Sequence, residues 1–222
     1  MKEILSFLEE LQKNNNRDWF QANRKSYDLA KKHMLILVSE LIEGISKFDS
    51  DIAGTLPGSA VFRINRDVRF SNNKDPYKNN MGAYFSRAGK KSPFAGYYFH
   101  IQPGQSFIAA GIWMPEAPVL NAIRREIHFN HANLRKILNN KNLKVWGDLE
   151  GEQLKTSPKG YDSDHPALDL LRYKSFVFTH HFSNKEVNSK QFIDQCIEMY
   201  KCATPFIKFI NEAVESGTAE TA

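Results

Sequence analysis

The N-terminal part of the chain has hydrophobic residues at a helical period. The spacing of three or four residues joins Ile4, Leu5, Leu8 and Leu11, which predicts an amphipathic helix. Asn16 or Asp18 then offers the N-cap of a second, longer helix that reaches toward Phe48. The apolar face of that helix carries Tyr27, Met34, Leu37, Val38, Leu41, Ile42 and Ile45.

From Ser59 the hydrophobic period falls from 3.6 to 2, the period of a strand. The apolar positions of this segment are Phe62, Ile64, Val68 and Phe70, and they alternate with Arg63, Asn65, Asp67 and Arg69. Three further strands are predicted near residues 81–87, 95–102 and 105–113. Because the turns between these last three are short, the strands form an antiparallel meander.

The remainder of the chain is mostly helical. Pro118 opens a helix, a short helix follows at 167–172, and "SFVFTHHF" reads as a strand near 175–182. Helices close the chain, and Pro205 is expected to start a new one because proline interrupts a helix.

These elements predict an α+β fold. We expect a single domain over residues 1–216, in which N-terminal, middle and C-terminal helices pack on a mostly antiparallel sheet. That sheet combines the meander near 59–113 with the strand near 175–182. Residues 217–222 read as a frayed tail.

Composition and charge indicate more about the possible binding partners than about the fold. Hydrophobic residues make up 41% and charged residues 25% of the chain, as in ordinary globular proteins. Lys and Arg number 30 against 25 Asp and Glu, an excess that favours anionic partners. The sequence has neither a signal-peptide pattern nor an apolar run long enough for a membrane span, so we expect a cytoplasmic protein that binds no membrane. It leaves the oligomeric state open.

The segment "FRINRDVRFSNNKDPYK", residues 62–78, concentrates cations. On a regular strand, Arg66 shares a face with Phe62 and Ile64, where a guanidinium is costly unless it is paired. One interpretation is a buried ion pair with an Asp or Glu of a neighbouring helix. The other is a pocket in which Arg66 binds a ligand carboxylate or phosphate through its planar fork of donors.

The turn-rich loop "SNNKDPYKNN", which follows the predicted strand, adds three candidate ligand-binding residues. Lys74 and Lys78 supply charge, and Tyr77 supplies an aromatic face and a hydroxyl. The alternative is a solvated connection whose lysines keep a sheet edge soluble.

Other candidate chemistry is weaker. Tyr98 and His100 share a strand face and are the best acid–base pair near the meander. His128 and His131 form an H-x-x-H pattern that favours a hydrogen-bonded core histidine over a metal ligand. The motifs of serine hydrolases, P-loops, zincins and thiol–disulfide enzymes do not occur in the sequence. The sequence therefore predicts no metal site, and it leaves the cofactor and any catalytic residue unassigned.

Four blocks of the chain carry a family resemblance. They are "FLEELQKNNNRDWFQANRKSY", "FRINRDVRFSNNKDPYK", "GYYFHIQPGQSFIAAGIWMPEAPVLNAIRREI" and "LKTSPKGYDSDHPALDLLRYKSF". In this order they resemble an uncharacterised microbial family of conserved hypothetical proteins, the domain of unknown function 2461 family. The resemblance implies one full-length domain of that family, and it brings no activity, cofactor or site.

Two functional hypotheses follow from the residues. The first is a domain that binds a small anionic ligand, bearing phosphate or carboxylate, through Arg66, Lys74, Tyr77 and Lys78, with enzyme activity left open. The second is a non-enzymatic adaptor for nucleic acid or protein, with a basic surface formed by Arg63, Arg69, Lys90 and Lys91. The modest charge excess favours the first.

Overall fold

The computed structural model of the protein describes residues 1–219, apart from the side chains at 145–146 and 218–219. The helices of this range are α1 (Lys2–Lys13), α2 (Arg17–Ala22), α3 (Arg24–Ser46), α4 (Pro57–Ala60), α5 (Ala117–Leu138), α6 (Lys141–Trp146), α7 (Leu168–Leu171), α8 (Asn184–Val187) and α9 (Phe192–Ala219). The strands are β1 (Met81–Ser86), β2 (Gly96–Ile101), β3 (Ser106–Ile112), β4 (Leu149–Glu150) and β5 (Phe176–Phe182). Within the described residues, no helix is both long enough and apolar enough to cross a membrane.

The strands form one antiparallel sheet in the order β1-β2-β3-β5-β4. Strand β4 pairs with β5 in the register Leu149↔Phe178 and Glu150↔Val177. With helices packed around this sheet, the predicted α+β fold is confirmed. Strand β4 is too short for a periodic signal, and the sequence did not predict it.

The predicted strand over residues 62–70 is wrong. The segment is irregular and carries only isolated bridges, which pair Val61 with Ala83 and Asn65 with Tyr77. Its apolar alternation also breaks down at Phe70, which is 96% exposed. The segment instead folds against residues 76–78, where Pro76 has no N–H with which to continue a ladder. The meander therefore begins at β1.

Pro205 does not start a helix, because it lies inside α9. A hydrogen bond from the Thr204 hydroxyl to the Tyr200 carbonyl, at 2.9 Å, ties the chain to the preceding turn at this point. Helix α9 continues to Ala219, into the predicted tail, while residues 220–222 lie outside the described part.

Contacts divide the chain into two compact units. The first contains Met1–Phe85, Tyr98–Ile108 and His181–Ile197. Its core includes the apolar faces of α1 and α3. Asn16 caps α2 by accepting the Trp19 N–H, but the single long helix predicted from Asn16 or Asp18 toward Phe48 is wrong, because the backbone leaves the helical conformation at Asn23 and divides it into α2 and α3. The fully buried residues on the two packed helices are Ile4, Leu8, Leu11, Ala30, Met34, Val38, Leu41 and Ile45.

The second unit contains Ser86–Tyr97, Ala109–His180 and the chain from Glu198 onward. Aromatic pairs organise its core, with ring centroids 5.2 Å apart for Tyr97 and Tyr200 and 5.1 Å apart for Phe178 and Phe206. The organisation of residues 1–216 as a single domain stays a prediction.

Candidate functional site

The cation-rich segment and the residues after it form a narrow two-stranded loop. The Arg66 N–H donates to the Pro76 carbonyl at 2.9 Å, and the Lys78 N–H donates to the Ile64 carbonyl at 2.8 Å. These bonds flank the bridge between Asn65 and Tyr77. These two bonds bring the backbone at Arg66 and at Lys78 onto the two facing segments of the same loop.

Tyr77 anchors the loop to the first unit. Its ring is 5% exposed and stacks on Phe20 with the centroids 4.0 Å apart. The Asn15 side chain accepts the Tyr77 N–H at 3.1 Å and donates to the Tyr77 carbonyl at 3.0 Å. The base of the loop is thus held by its backbone and by the Tyr77 ring, and this anchoring does not use the charges of Arg66 and Lys78.

Arg66 has no carboxylate partner among the residues that the structure describes. The residue is half-buried, and its guanidinium donates to the Ser71 hydroxyl at 3.3 Å. Nearby, Arg69 uses both Nε and Nη2 to bind the Asp67 carboxylate, at 3.0 and 2.7 Å. The buried ion pair that the sequence suggested for Arg66 is therefore absent, and the local Asp compensates a different arginine.

Lys78 lies at the entrance to a polar and aromatic cluster on β2. Its ammonium is 5.5 Å from the centroid of the Phe62 ring, a cation–π contact. The Phe62 ring meets the Tyr98 ring edge-on, with the centroids 6.2 Å apart. Phe62 therefore contacts both Lys78 of the loop and Tyr98 of β2.

Tyr98, His100 and Gln102 form a chain of hydrogen bonds along one face of β2. The Tyr98 hydroxyl is 2.9 Å from His100 Nδ1, and His100 Nε2 is 3.0 Å from Gln102 Oε1. The side-chain nitrogen Nε2 of Gln102 donates to Gln105 Oε1 at 3.1 Å. The side-chain oxygen Oε1 of Gln102 therefore faces the imidazole of His100. The proton therefore lies on Nε2, and Nδ1 accepts from the Tyr98 hydroxyl.

The surroundings keep this pair neutral. His100 is 8% exposed, and this burial is the main cause that lowers its pKa. The charges of His181 and Lys78 lower the pKa further, whereas the hydrogen bond to Gln102 raises it. Burial raises the pKa of Tyr98 to about 12. At neutral pH the pair consists of a phenol and an uncharged imidazole.

Two aromatic residues complete this cluster. Phe107 on β3 stacks on the His100 ring with the centroids 4.5 Å apart. His181 on β5 lies on the other side of Phe107, at 5.5 Å. We call Tyr98, His100, Gln102, Phe107 and His181 the Tyr98 cluster.

The structure separates the four ligand-binding residues that the sequence proposed. Arg66 donates to Ser71 within the loop, whereas Lys78 contacts Phe62 and its charge acts on His100. Tyr77 points into the core, and the Lys74 ammonium donates to the Val68 carbonyl at 3.1 Å, closing the tip of the loop.

Sequence reasoning missed Phe62, Gln102, Phe107 and His181 as neighbours of the pair. The position of Gln102 beside His100 was predictable, since residues two positions apart lie on the same face of a strand. His181 was not, because its place depends on β5 pairing beside β3.

A second histidine cluster lies in the second unit. The rings of His128 and His165 stack with the centroids 4.7 Å apart, and His131 meets His165 edge-on at 5.6 Å. His165 Nδ1 accepts the Ala167 N–H at 3.1 Å, which gives it a capping role ahead of α7. Within the described part of the chain, no group of three His, Cys, Asp or Glu side chains is arranged to hold a metal ion.

The second unit also contains a cavity of about 280 Å³ next to α5, α6 and β4. Two cations line it, Arg135 and Lys144. Arg135 makes a bidentate ion pair with Asp169 at 2.7 and 3.3 Å, so the charge of this arginine is compensated at the cavity wall.

Comparison with known proteins identified one family. The family model described as conserved hypothetical protein (DUF2461) matches residues 3–209. No curated protein and no solved structure matched the chain.

Proposed function

We propose that this chain, which belongs to the conserved hypothetical protein family DUF2461, binds a small anionic ligand through the loop of residues 62–80. The ligand carries a phosphate or carboxylate group, and Arg66 and Lys78 contact it. Any chemistry on that ligand falls to the neighbouring Tyr98 and His100.

The absence of a carboxylate partner for the half-buried Arg66, among the described residues, carries this proposal. A cation that is partly removed from water loses hydration, and an anion restores much of that loss. A guanidinium also has five donors in a rigid fork, whereas the Ser71 hydroxyl engages only one nitrogen of Arg66. The remaining donors suit a carboxylate or a phosphate.

Lys78 supplies the second positive charge. Its ammonium contacts the Phe62 ring, which in turn meets the Tyr98 ring, and its charge acts on His100. Two cations of one loop attract an anion more strongly than either does alone, and the effect is larger where water is partly excluded.

Lys74 and Tyr77 act indirectly in this proposal. The bond from Lys74 to the Val68 carbonyl closes the loop tip, and Tyr77 fixes its base against Phe20. Preorganisation of this kind lowers the entropy that ligand binding must otherwise overcome.

The adaptor hypothesis has less support. Of its cations, Arg69 is compensated by Asp67 in a bidentate pair, which reduces its attraction for a phosphate backbone. The exposed Phe70 beside Arg69 is the feature that most favours a macromolecular partner, with the guanidinium 5.8 Å from the centroid of its ring.

A thermal-shift screen of inorganic phosphate, nucleotides, sugar phosphates and organic acids tests the proposal. A ligand at a hundredfold excess over its Kd adds about 2.7 kcal/mol of stability, which raises the Tm by several degrees. We expect the Lys74→Ala/Lys78→Ala double variant to lose this rise. The matched control, Lys25→Ala/Lys32→Ala, removes two exposed lysines of α3 and should respond as the wild type does.

Two outcomes would contradict the anion site. One is that no anion stabilises the wild type. The other is that the two double variants respond equally, since the effect would then come from net charge. Stabilisation only by heparin or DNA, weakening steeply with salt, would support the adaptor instead.

A further inference from the structure

A chain of hydrogen bonds joins Tyr98, the buried imidazole of His100 and Gln102 close to Lys78 of the proposed anion site, and its donors and acceptors can be assigned. Gln102 Oε1 accepts from His100 Nε2–H, so His100 Nδ1 accepts from the Tyr98 hydroxyl. In this arrangement the only hydroxyl proton of Tyr98 points toward His100, and its lone pairs point away.

An anion beside Lys78 changes the favoured orientation of the Tyr98 hydroxyl proton. An anion needs donors, and the Tyr98 hydroxyl can donate to it only by turning its proton away from His100. Nδ1 then faces the Tyr98 oxygen without a proton between them, unless the imidazole gains one. A protonated His100 donates from Nδ1 to Tyr98 while Nε2–H still donates to Gln102.

We infer that Tyr98 and His100 make anion binding proton-coupled: as the anion binds, His100 takes one proton from solvent at Nδ1, and the Tyr98 hydroxyl turns to donate to the anion. This inference rests on the proposed anion site. The bound state contains a continuous chain from His100 Nδ1–H through the Tyr98 O–H to an anion oxygen. One proton is gained from solvent and no other bond forms or breaks.

The charges around His100 agree with a switch of this kind. The groups that face it are Tyr98 from β2, Gln102 from the residue that follows β2, Phe107 from β3, His181 from β5 and Lys78 from the loop. Burial, with the charges of His181 and Lys78, lowers the pKa of His100 in the ligand-free protein. An anion opposes both of these charges and raises that pKa again, so binding and proton uptake reinforce each other.

The space for the Tyr98 hydroxyl comes from Gly82 on β1. A Cβ at Gly82 would lie 2.8 Å from the Tyr98 hydroxyl oxygen, closer than such atoms approach. The absence of a side chain there allows the phenol to occupy the position from which it contacts His100.

Sulfate is the suitable probe, because it stays a dianion from about pH 8 to about pH 5, whereas a phosphate monoester changes its charge near pH 6. In the wild type we expect the Kd for sulfate to fall as the pH is lowered, by up to about tenfold per pH unit for one proton taken up. The imidazole ¹⁵N resonances of His100 should report a neutral Nε2–H tautomer without sulfate and an imidazolium with it.

Three variants separate this mechanism from simple charge attraction. Tyr98→Phe and His100→Gln should each abolish the pH dependence contributed by this site, because each breaks the chain. His181→Gln should keep most of it, since the Phe107 ring lies between His181 and His100. Lys78→Met should weaken sulfate binding at every pH and retain the slope.

Several results would overturn the inference. An Nδ1–H tautomer of the free protein, or pH-independent sulfate binding to the wild type, excludes the coupling while leaving the anion site intact. Retention of the slope in Tyr98→Phe, or its complete loss in His181→Gln, assigns the proton elsewhere. Failure of sulfate to bind also overturns the inference, and the separate screen of phosphates and organic acids then decides whether an anion site exists.

Discussion

The contact between Gly82 and Tyr98 shows how one missing side chain controls the chemistry of a neighbour. Any larger residue at Gly82 would meet the Tyr98 hydroxyl oxygen at 2.8 Å and the Phe99 carbonyl oxygen at 3.3 Å. The backbone there cannot yield easily, because it is part of the sheet. The phenol would therefore have to move, and its 2.9 Å contact with His100 would be lost.

Gly82→Ala should accordingly reduce the free energy of unfolding by about 1–3 kcal/mol, as overpacking does. It should also change the imidazole ¹⁵N resonances of His100, because Nδ1 loses its donor. Urea unfolding and an NMR spectrum of the variant check both effects.

Gly58→Ala is the matched control, since nothing lies within 4 Å of the position of its Cβ. It should leave His100 unchanged and, if anything, raise stability by about 0.4–1 kcal/mol. Equal behaviour of the two variants would argue against tight packing at Gly82.

At the scale of secondary-structure elements, Arg124 joins α5 to the end of α7. It is 8% exposed, and its guanidinium donates to the Leu171 carbonyl at 2.9 Å and to the Tyr173 carbonyl at 3.2 Å. Leu171 ends α7, so its carbonyl belongs to the turn that lacks helical partners and favours a cation. Burial lowers the pKa of Arg124, and these carbonyls offset part of the cost of burying its charge.

Arg124→Met should cost about 1–3 kcal/mol for each carbonyl left unpaired, because methionine keeps the apolar stem and removes the donors. Thermal or urea unfolding measures the loss. Lys136→Met, an exposed change on the same helix, should stay within about 0.5 kcal/mol of the wild type. Equal stability of the two variants would mean that solvent satisfies the carbonyls without Arg124.

The elements also show what periodicity can and cannot predict. Helices α1, α3 and α5 were predictable because their apolar stripes are long, and β1, β2 and β3 because short turns separate them. Strand β5 was predictable from the segment "SFVFTHHF" itself. The strand prediction for residues 62–70 was wrong because alternation indicates only which side chains avoid water. A strand also needs backbone hydrogen bonds to a neighbouring strand. Pro205 misled in the opposite direction, because tertiary packing of Tyr97, Tyr200 and Thr204 holds α9 together across it.

At the scale of the whole molecule, the candidate site draws on residues far apart in sequence. Asn15 fixes the base of the loop, Lys78 ends it, His100 lies on β2, and His181 enters from β5. A single sequence exposes the cation density of residues 62–78 and the shared face of Tyr98 and His100. It does not reveal that Phe62 connects them, because that contact depends on how the loop folds back.

The net charge of +5 sets only a weak preference for anions, so the argument for binding depends on where charge is left uncompensated. Asp67 neutralises Arg69, and Asp169 neutralises Arg135. Arg66 is the half-buried arginine of this loop that lacks such a partner among the described residues. The account therefore depends on Arg66 belonging to a binding site and not to the structural core.

The most direct test is the free energy of unfolding of Arg66→Met beside the wild type, measured in urea with and without phosphate. Without phosphate, we predict a difference of no more than about 1 kcal/mol, because Arg66 makes a single long hydrogen bond to Ser71. With phosphate at a hundredfold excess over its Kd, the wild type should gain about 2.7 kcal/mol and the variant much less. Arg63→Met, an exposed change in the same segment, should gain as the wild type does. A loss of about 3–5 kcal/mol in Arg66→Met without phosphate would indicate a structural ion pair and contradict the proposed role of Arg66. An equal gain in stability on adding phosphate, in wild type and variant, would contradict it as well, because Arg66 would then not contact the ligand.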